Sequence, residues 1–153
     1  MKREETNLLR SVTPTEISEA KSAVEEWGMS HYTIDILVEE INKIGNQIVY
    51  VDNLLEKGSI DESTAEKTKE ILRMRNSSLI DAQQKMILRV NRIETYVSCL
   101  DMLEQNIIRM KYQKKLKAEF IAGKNNISRA TLFRKQDRAF ERIALMMREG
   151  GIV

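Results

Sequence analysis

The sequence predicts an all-α chain: a long antiparallel helical hairpin, coiled-coil-like, followed by a compact helix-turn-helix domain. Three observations carry that expectation. The 153 residues include only 6 Gly and 1 Pro, too little punctuation for a sandwich or barrel, which turns roughly every 8–12 residues. Apolar residues between Ile34 and Leu100 recur at helical spacings of 3 and 4. Beyond Leu100 the pattern breaks into short apolar groups separated by brief polar turns. The expected organisation is an arm and short helix over 1–28, a hairpin for oligomerisation or partner docking over 29–98, and a helix-turn-helix domain over 99–149.

Pro14 follows Thr13, so Thr13 can cap a helix whose first position tolerates the missing proline N–H. This helix is expected to run to about Trp27, with Gly28 ending it. Residues 1–12 read as a loosely held arm.

A second helix is expected from Ser30 or Thr33. Its apolar residues are Ile34, Leu37, Ile41, Ile44, Ile48, Val51 and Leu55, alternating at spacings of 3 and 4. That 3.5-residue repeat marks a helix packed along one partner helix. Gly58 stops it, and Ser63-Thr64-Ala65-Glu66 has the form of a capping box for the next helix. The third helix, about 62–98, carries a stripe through Ile71, Met74, Ser78, Ala82, Met86, Val90, Ile93, Val97 and Leu100. A short turn between two such stripes folds them onto each other as an antiparallel pair; the same stripes could also serve self-association.

The C-terminal groups are Leu103, Ile107, Ile108 and Tyr112, then Leu116, Phe120, Ile121 and Ala122, then Ile127, Leu132, Phe140, Ile143 and Met147. The breaks at Gln113-Lys114-Lys115 and Gly123-Lys124-Asn125-Asn126 suit tight helix–helix turns. Asn126 tolerates the left-handed backbone that such a reversal needs. Ser128 is placed to cap the last helix. That helix should present Arg129, Thr131, Arg134, Lys135 and Arg138 away from an apolar stripe of Leu132, Phe133, Gln136, Phe140 and Ile143. A basic helix of this kind fits the DNA major groove, where arginine can pair bidentately with guanine. Lys114, Lys115, Lys117 and Lys124, at helix ends and turns, suit phosphates rather than bases.

Charge is divided along the chain. Residues 1–100 carry 13 Lys/Arg against 17 Asp/Glu, and residues 101–153 carry 12 against 6. An acidic body with a basic end fits a polyanion-binding module tied to a protein-interaction module. One Cys (Cys99) and one His (His31) exclude an internal disulfide and a His/Cys metal cluster. No catalytic motif, phosphate loop or cofactor signature is present, so neither an enzyme nor a cofactor is expected. No apolar run approaches the ~18 residues of a membrane span, and MKREETNLLR has no apolar stretch behind its charges. The expected setting is the cytoplasm of a bacterial cell.

The stretch Leu100-Asp-Met-Leu-Glu-Gln-Asn-Ile-Ile-Arg-Met-Lys-Tyr112, with Leu116, Glu119, Ile121, Ala122, Ile127, Ser128, Arg129, Thr131, Leu132 and Arg134, resembles region four of bacterial sigma factors. The spacing of that pattern is kept without a gap from Leu100 to Leu132, and the resemblance covers about residues 100–147. It departs at Phe120, where the pattern has an acidic residue, and at Asn125 and Asn126, where it has Leu and Gly. The resemblance implies a positioning helix over 116–122 and a recognition helix over 128–142. Aromatic residues make up only 5% of the chain, so the aromatic-rich strand-capturing helix of a complete sigma factor is missing. A helical front joined to such an end is similar in layout to ArpU/RinA-type phage transcriptional regulators. That likeness implies a late-gene activator contacting double-stranded DNA and RNA polymerase, with homo-oligomerisation through the heptad-patterned helices. The other readings are a small terminase-like DNA-packaging subunit and a helical protein-interaction scaffold.

Overall fold

The structure, a computed structural model, describes residues 12–150. Most of the expected arm, residues 1–11, lies outside them. The fold is all-α: α1 spans Pro14–Glu56, α2 Glu62–Ser98, α3 Met102–Ile108, α4 Ala118–Lys124 and α5 Arg129–Glu149, with a π-helical turn at Arg109–Gln113 between α3 and α4. Among the described residues there is no strand.

Capping at the start of α1 is reciprocal. The Glu16 amide donates to Thr13 Oγ1 and the Thr13 amide to Glu16 Oε1, both at 3.1 Å, so two orphan donors are satisfied as in a capping box. The expected break at Gly28 is absent, and α1 runs unbroken to Glu56. Gly28 serves close packing instead: a Cβ there would collide with the carbonyl oxygen of Tyr112. The sequence signal was the same residue, but the missing side chain admits a neighbouring backbone rather than a left-handed cap.

At the end of α1 the glycine signal does hold. Gly58 has φ +73°, its amide donates to Leu55 O at 3.0 Å, and Ser59 N donates to Leu54 O at 2.9 Å. These paired bonds form a Schellman motif. The N-cap of α2 is Asp61, which accepts from Thr64 N at 2.7 Å; the capping box expected at Ser63 is not used.

Two compact units divide the described residues: His31–Leu88, and residues 12–30 together with 89–150. The start of α1, to Ser30, therefore groups with the C-terminal helices.

In the His31–Leu88 unit, α1 and α2 pack against each other in antiparallel fashion, and Lys69 Nζ reaches Asp52 Oδ1 at 2.8 Å. The α1 stripe behaves as expected, with Ile44 and Val51 buried and Ile34, Leu37, Ile41, Ile48 and Leu55 half-buried. The α2 stripe is corrected by one to two residues in its first half. Ile71 and Met74 are 67% and 68% exposed, and Ser78 and Ala82 are exposed too. The face toward α1 is Ala65, Leu72, Asn76, Leu79 and Gln83, joining the expected set at Met86. Both sets keep helical spacing, and the polar members Asn76 and Gln83 concealed the true one.

The other unit holds the larger core. Ala20, Val24 and Trp27 of α1 meet Ile93 and Val97 of α2, Leu100, Ile108, Tyr112, and Ala139, Phe140, Ile143 and Ala144 of α5. A second cluster joins Ile107, Ile121, Ala122 and Leu132, flanked by Leu103, Met110, Leu116 and Ile127. Polar ties fix the helices around these cores. Trp27 Nε1 and Arg109 Nη1 both donate to Glu94 Oε2, at 2.9 and 3.0 Å. Arg148 grips Glu16 bidentately at 2.7 and 3.1 Å, holding the Glu16 carboxyl well below its usual range, at about 2.

Candidate nucleic-acid interface

The surface in question starts at the reversal between α4 and α5. Asn125 Nδ2 donates to Ile121 O at 2.8 Å, closing the end of α4. Asn126 then takes φ +55°, the left-handed conformation expected of it. Ile127 tucks against the smaller core cluster, and Ser128 Oγ accepts from Thr131 N at 3.1 Å as the N-cap of α5. Two helices joined by residues 125–128 result, with the first turn of α5 facing solvent.

Helical spacing divides the residues of α5 into two faces. Leu132, Gln136, Ala139, Phe140, Ile143 and Ala144 are buried. Gln136, the polar member of the expected stripe, accepts from Lys111 Nζ at 3.1 Å, which satisfies its carbonyl. Phe133 leaves that stripe at 39% exposed.

On the opposite face Thr131, Arg134, Lys135 and Arg138 line one shallow, open depression. Ser128 Oγ donates to Thr131 Oγ1 at 2.9 Å, and Arg134 Nη2 donates to the same oxygen at 3.1 Å. A short polar chain therefore steadies Arg134 from the helix N-terminus. Arg138 and Arg134 stay exposed.

Arg129 goes elsewhere. Its guanidinium stacks over the Phe133 ring at 5.6 Å and lies 3.9 Å from Glu119 Oε1, so it is exposed but does not line the depression. Lys114, Lys115, Lys117 and Lys124 are all exposed, and none of them lines it either. They sit where expected: Lys114 and Lys115 after the π turn, Lys117 at the N-cap position of α4 and Lys124 at its last residue. Lys115 takes φ +57°, which its side chain gives no sequence signal for.

Sequence reading missed Glu104 and Arg142. Glu104 is fully buried on α3 and accepts from Arg142 Nη1 of α5 at 3.1 Å; its Oε2 has no partner. Burial pushes the Glu104 carboxyl up to about 7, the Asp101 carboxyl beside it adds to the rise, and Arg142 and Arg138 oppose it. Arg142 is thereby pinned along the flank of α5 that also carries Lys135 and Arg138. A glutamate four residues into an amphipathic segment looks like a surface residue, so the sequence held no signal for its burial.

What the arrangement can do chemically is bind anions in the open. It has a basic, hydrogen-bond-donating face on an exposed helix, without an enclosed pocket or converging nucleophile. No helix of the described residues is long and apolar enough to cross a membrane. Comparison with known proteins gives no matching family model, curated protein or solved structure.

Proposed function

We propose that the chain is a sequence-specific, double-stranded-DNA-binding transcriptional regulator. In this reading α4 and α5 form a helix-turn-helix and α5 lies in the major groove. The observation that carries it is the open depression lined by Thr131, Arg134, Lys135 and Arg138 at the capped start of α5, with both arginines exposed. Only the first turns of a groove-bound helix reach base edges, and these residues occupy them. Arg134 and Arg138 are the base readers, since a guanidinium pairs bidentately with guanine. Lys114, Lys115, Lys117 and Lys124 neutralise phosphates.

The resemblance to sigma region four supports the same reading. Among the apolar positions that carry it, Leu100, Ile107, Ile108, Tyr112, Ile121, Ala122 and Leu132 are buried, while Leu116 and Ile127 are half-buried against the smaller core cluster, as core positions of a shared head would be. Phe120, which stands where that pattern has an acidic residue, is 55% exposed, as a normally charged position would be. Action on RNA polymerase, and a role in phage late-gene activation, follow from that resemblance and from the overall layout.

Selection of bound sequences from random duplex DNA tests the proposal. A preferred motif is expected, with affinity falling steeply as salt rises. Arg134→Ala and Arg138→Ala should each cost about 1–3 kcal/mol of specific binding with melting unchanged. Undiminished affinity in both variants removes α5 from the reading role.

A further inference from the structure

We propose that Arg142 is a proton-gated phosphate contact. Glu104 holds it back in the free chain; on a duplex Arg142 leaves for a backbone phosphate, and Glu104 takes up a proton from solvent. The inference rests on the reading of α5 as a groove-bound helix, and adds to it a further contact and the condition under which that contact forms.

Thr131, Lys135, Arg138 and Arg142 follow one another at steps of 4, 3 and 4, one row along α5. Arg142 therefore continues the line of cations one turn past Arg138. The first turns of a groove-bound helix meet base edges, and its later turns approach the sugar–phosphate backbone. A cation at that place suits a phosphate. In the free chain it is engaged elsewhere: the Arg142 side chain is 35% exposed and reaches a Glu104 side chain that is 0% exposed.

The way this pair is made suits release. Arg89 with Glu26 and Arg148 with Glu16, in the same unit, each use two hydrogen bonds. Arg142 uses Nη1 to Glu104 Oε1 at 3.1 Å, and the buried Oε2 accepts no bond among the described residues. An ionised carboxylate buried with one oxygen unmatched carries a desolvation penalty that one bond offsets poorly. A proton on Oε2 removes that charge and, with it, most of the hold on Arg142.

The neighbouring charges act in both directions. Burial is the largest influence on Glu104, and Asp101 at the cap of α3 also disfavours its ionisation, while Arg142 and Arg138 of α5 favour it. Lys135 of α5 acts on Asp101. The cations of the π turn are committed to other partners, Arg109 to Glu94 and Lys111 to Gln136. The result is a carboxyl at about 7, with both forms populated near neutrality. A phosphate beside α5 and the departure of Arg142 each favour the protonated form. Binding therefore takes up a proton, and by linkage affinity is greatest below 7 and falls as pH rises through it.

Calorimetric titration of a selected duplex, in two buffers of unlike ionisation enthalpy at about pH 7.5, counts the protons on the unaltered chain; uptake of about half a proton is expected. Anisotropy should show affinity falling about tenfold between about pH 6 and 8.5. Glu104→Gln, which mimics the protonated carboxyl, should flatten that fall and hold affinity near its acid value. Adding Arg142→Ala to that variant should weaken selected and unrelated duplexes alike, severalfold. His31→Asn, at the one histidine, which is exposed and in the other unit, should keep the fall. Duplex binding without proton uptake, a Glu104→Gln variant with the fall intact, or no loss on adding Arg142→Ala would each overturn this proposal and leave the reading of α5 standing. Absence of duplex binding at every pH would overturn both.

Discussion

Two glutamates in the same unit respond to pH in opposite directions. Glu16, held by Arg148, has its carboxyl lowered to about 2; its contribution is present above the ordinary value near 4.5 and is lost as pH falls toward 2. Glu104, raised to about 7 by burial, stabilises the folded state while protonated. Its contribution is complete below about 4.5 and is lost as pH rises through 7. Melting temperature should therefore decline between pH 5 and 8, by an amount on the order of 1–3 kcal/mol in stability. Glu104→Gln should flatten that decline, whereas Glu16→Gln should flatten only the acid limb. A Glu104→Gln variant that keeps the full decline would show that another group titrates there. Neither role was legible in the sequence to the same degree. Thr13 before Pro14 announces a helix cap next to Glu16, but nothing there announces the pair with Arg148, and nothing near Glu104 announces a carboxylate folded under α5. Asn126 and Lys115 differ in the same way: both are left-handed, and only asparagine signals it.

At the level of single helices, α1 places two interior glycines under opposite constraints. Gly28 has the Tyr112 carbonyl where a Cβ would be, and Gly45 has nothing within 4 Å. Gly28→Ala must push α1 off the π turn and should cost about 1–3 kcal/mol. Gly45→Ala removes unfolded-chain freedom without a clash and should add about 0.5–1 kcal/mol. Urea midpoints for the two variants should move in opposite directions; a shared direction would contradict the packing described for Gly28. Periodicity made the helices themselves legible, since spacings of 3 and 4 leave few alternatives over residues 34–100. It could not say which of two adjacent stripes on α2 faces α1, because Ile71 and Met74 look more like core than Asn76 and Gln83 do. Nor could it tell a glycine that ends a helix from one that admits a neighbour. The candidate site was more legible than the hairpin register: the outward face of α5 follows from spacing alone, and only Phe133 fell on an unexpected side, while Arg129, exposed as expected, does not line the depression.

Over the whole molecule the charge division sets what binding should look like. The last 53 residues hold 12 Lys/Arg and 6 Asp/Glu, and the four turn lysines among them are exposed and away from the α5 depression. If that end binds duplex DNA as proposed, the two groups of cations do separable work. Arg134 and Arg138 discriminate among sequences, while the lysines release counterions from phosphates whatever the sequence. Lys114→Ala and Lys124→Ala should then lower affinity for selected and unrelated duplexes alike, each reducing the slope of log affinity against log salt by about 1. Arg134→Ala should instead narrow the gap between selected and unrelated duplexes. Fluorescence anisotropy across a salt series measures both quantities on the same samples. Lysine variants that altered sequence preference and left the slope intact would reverse the assignment, placing the reading surface at the π turn and α4 instead of α5.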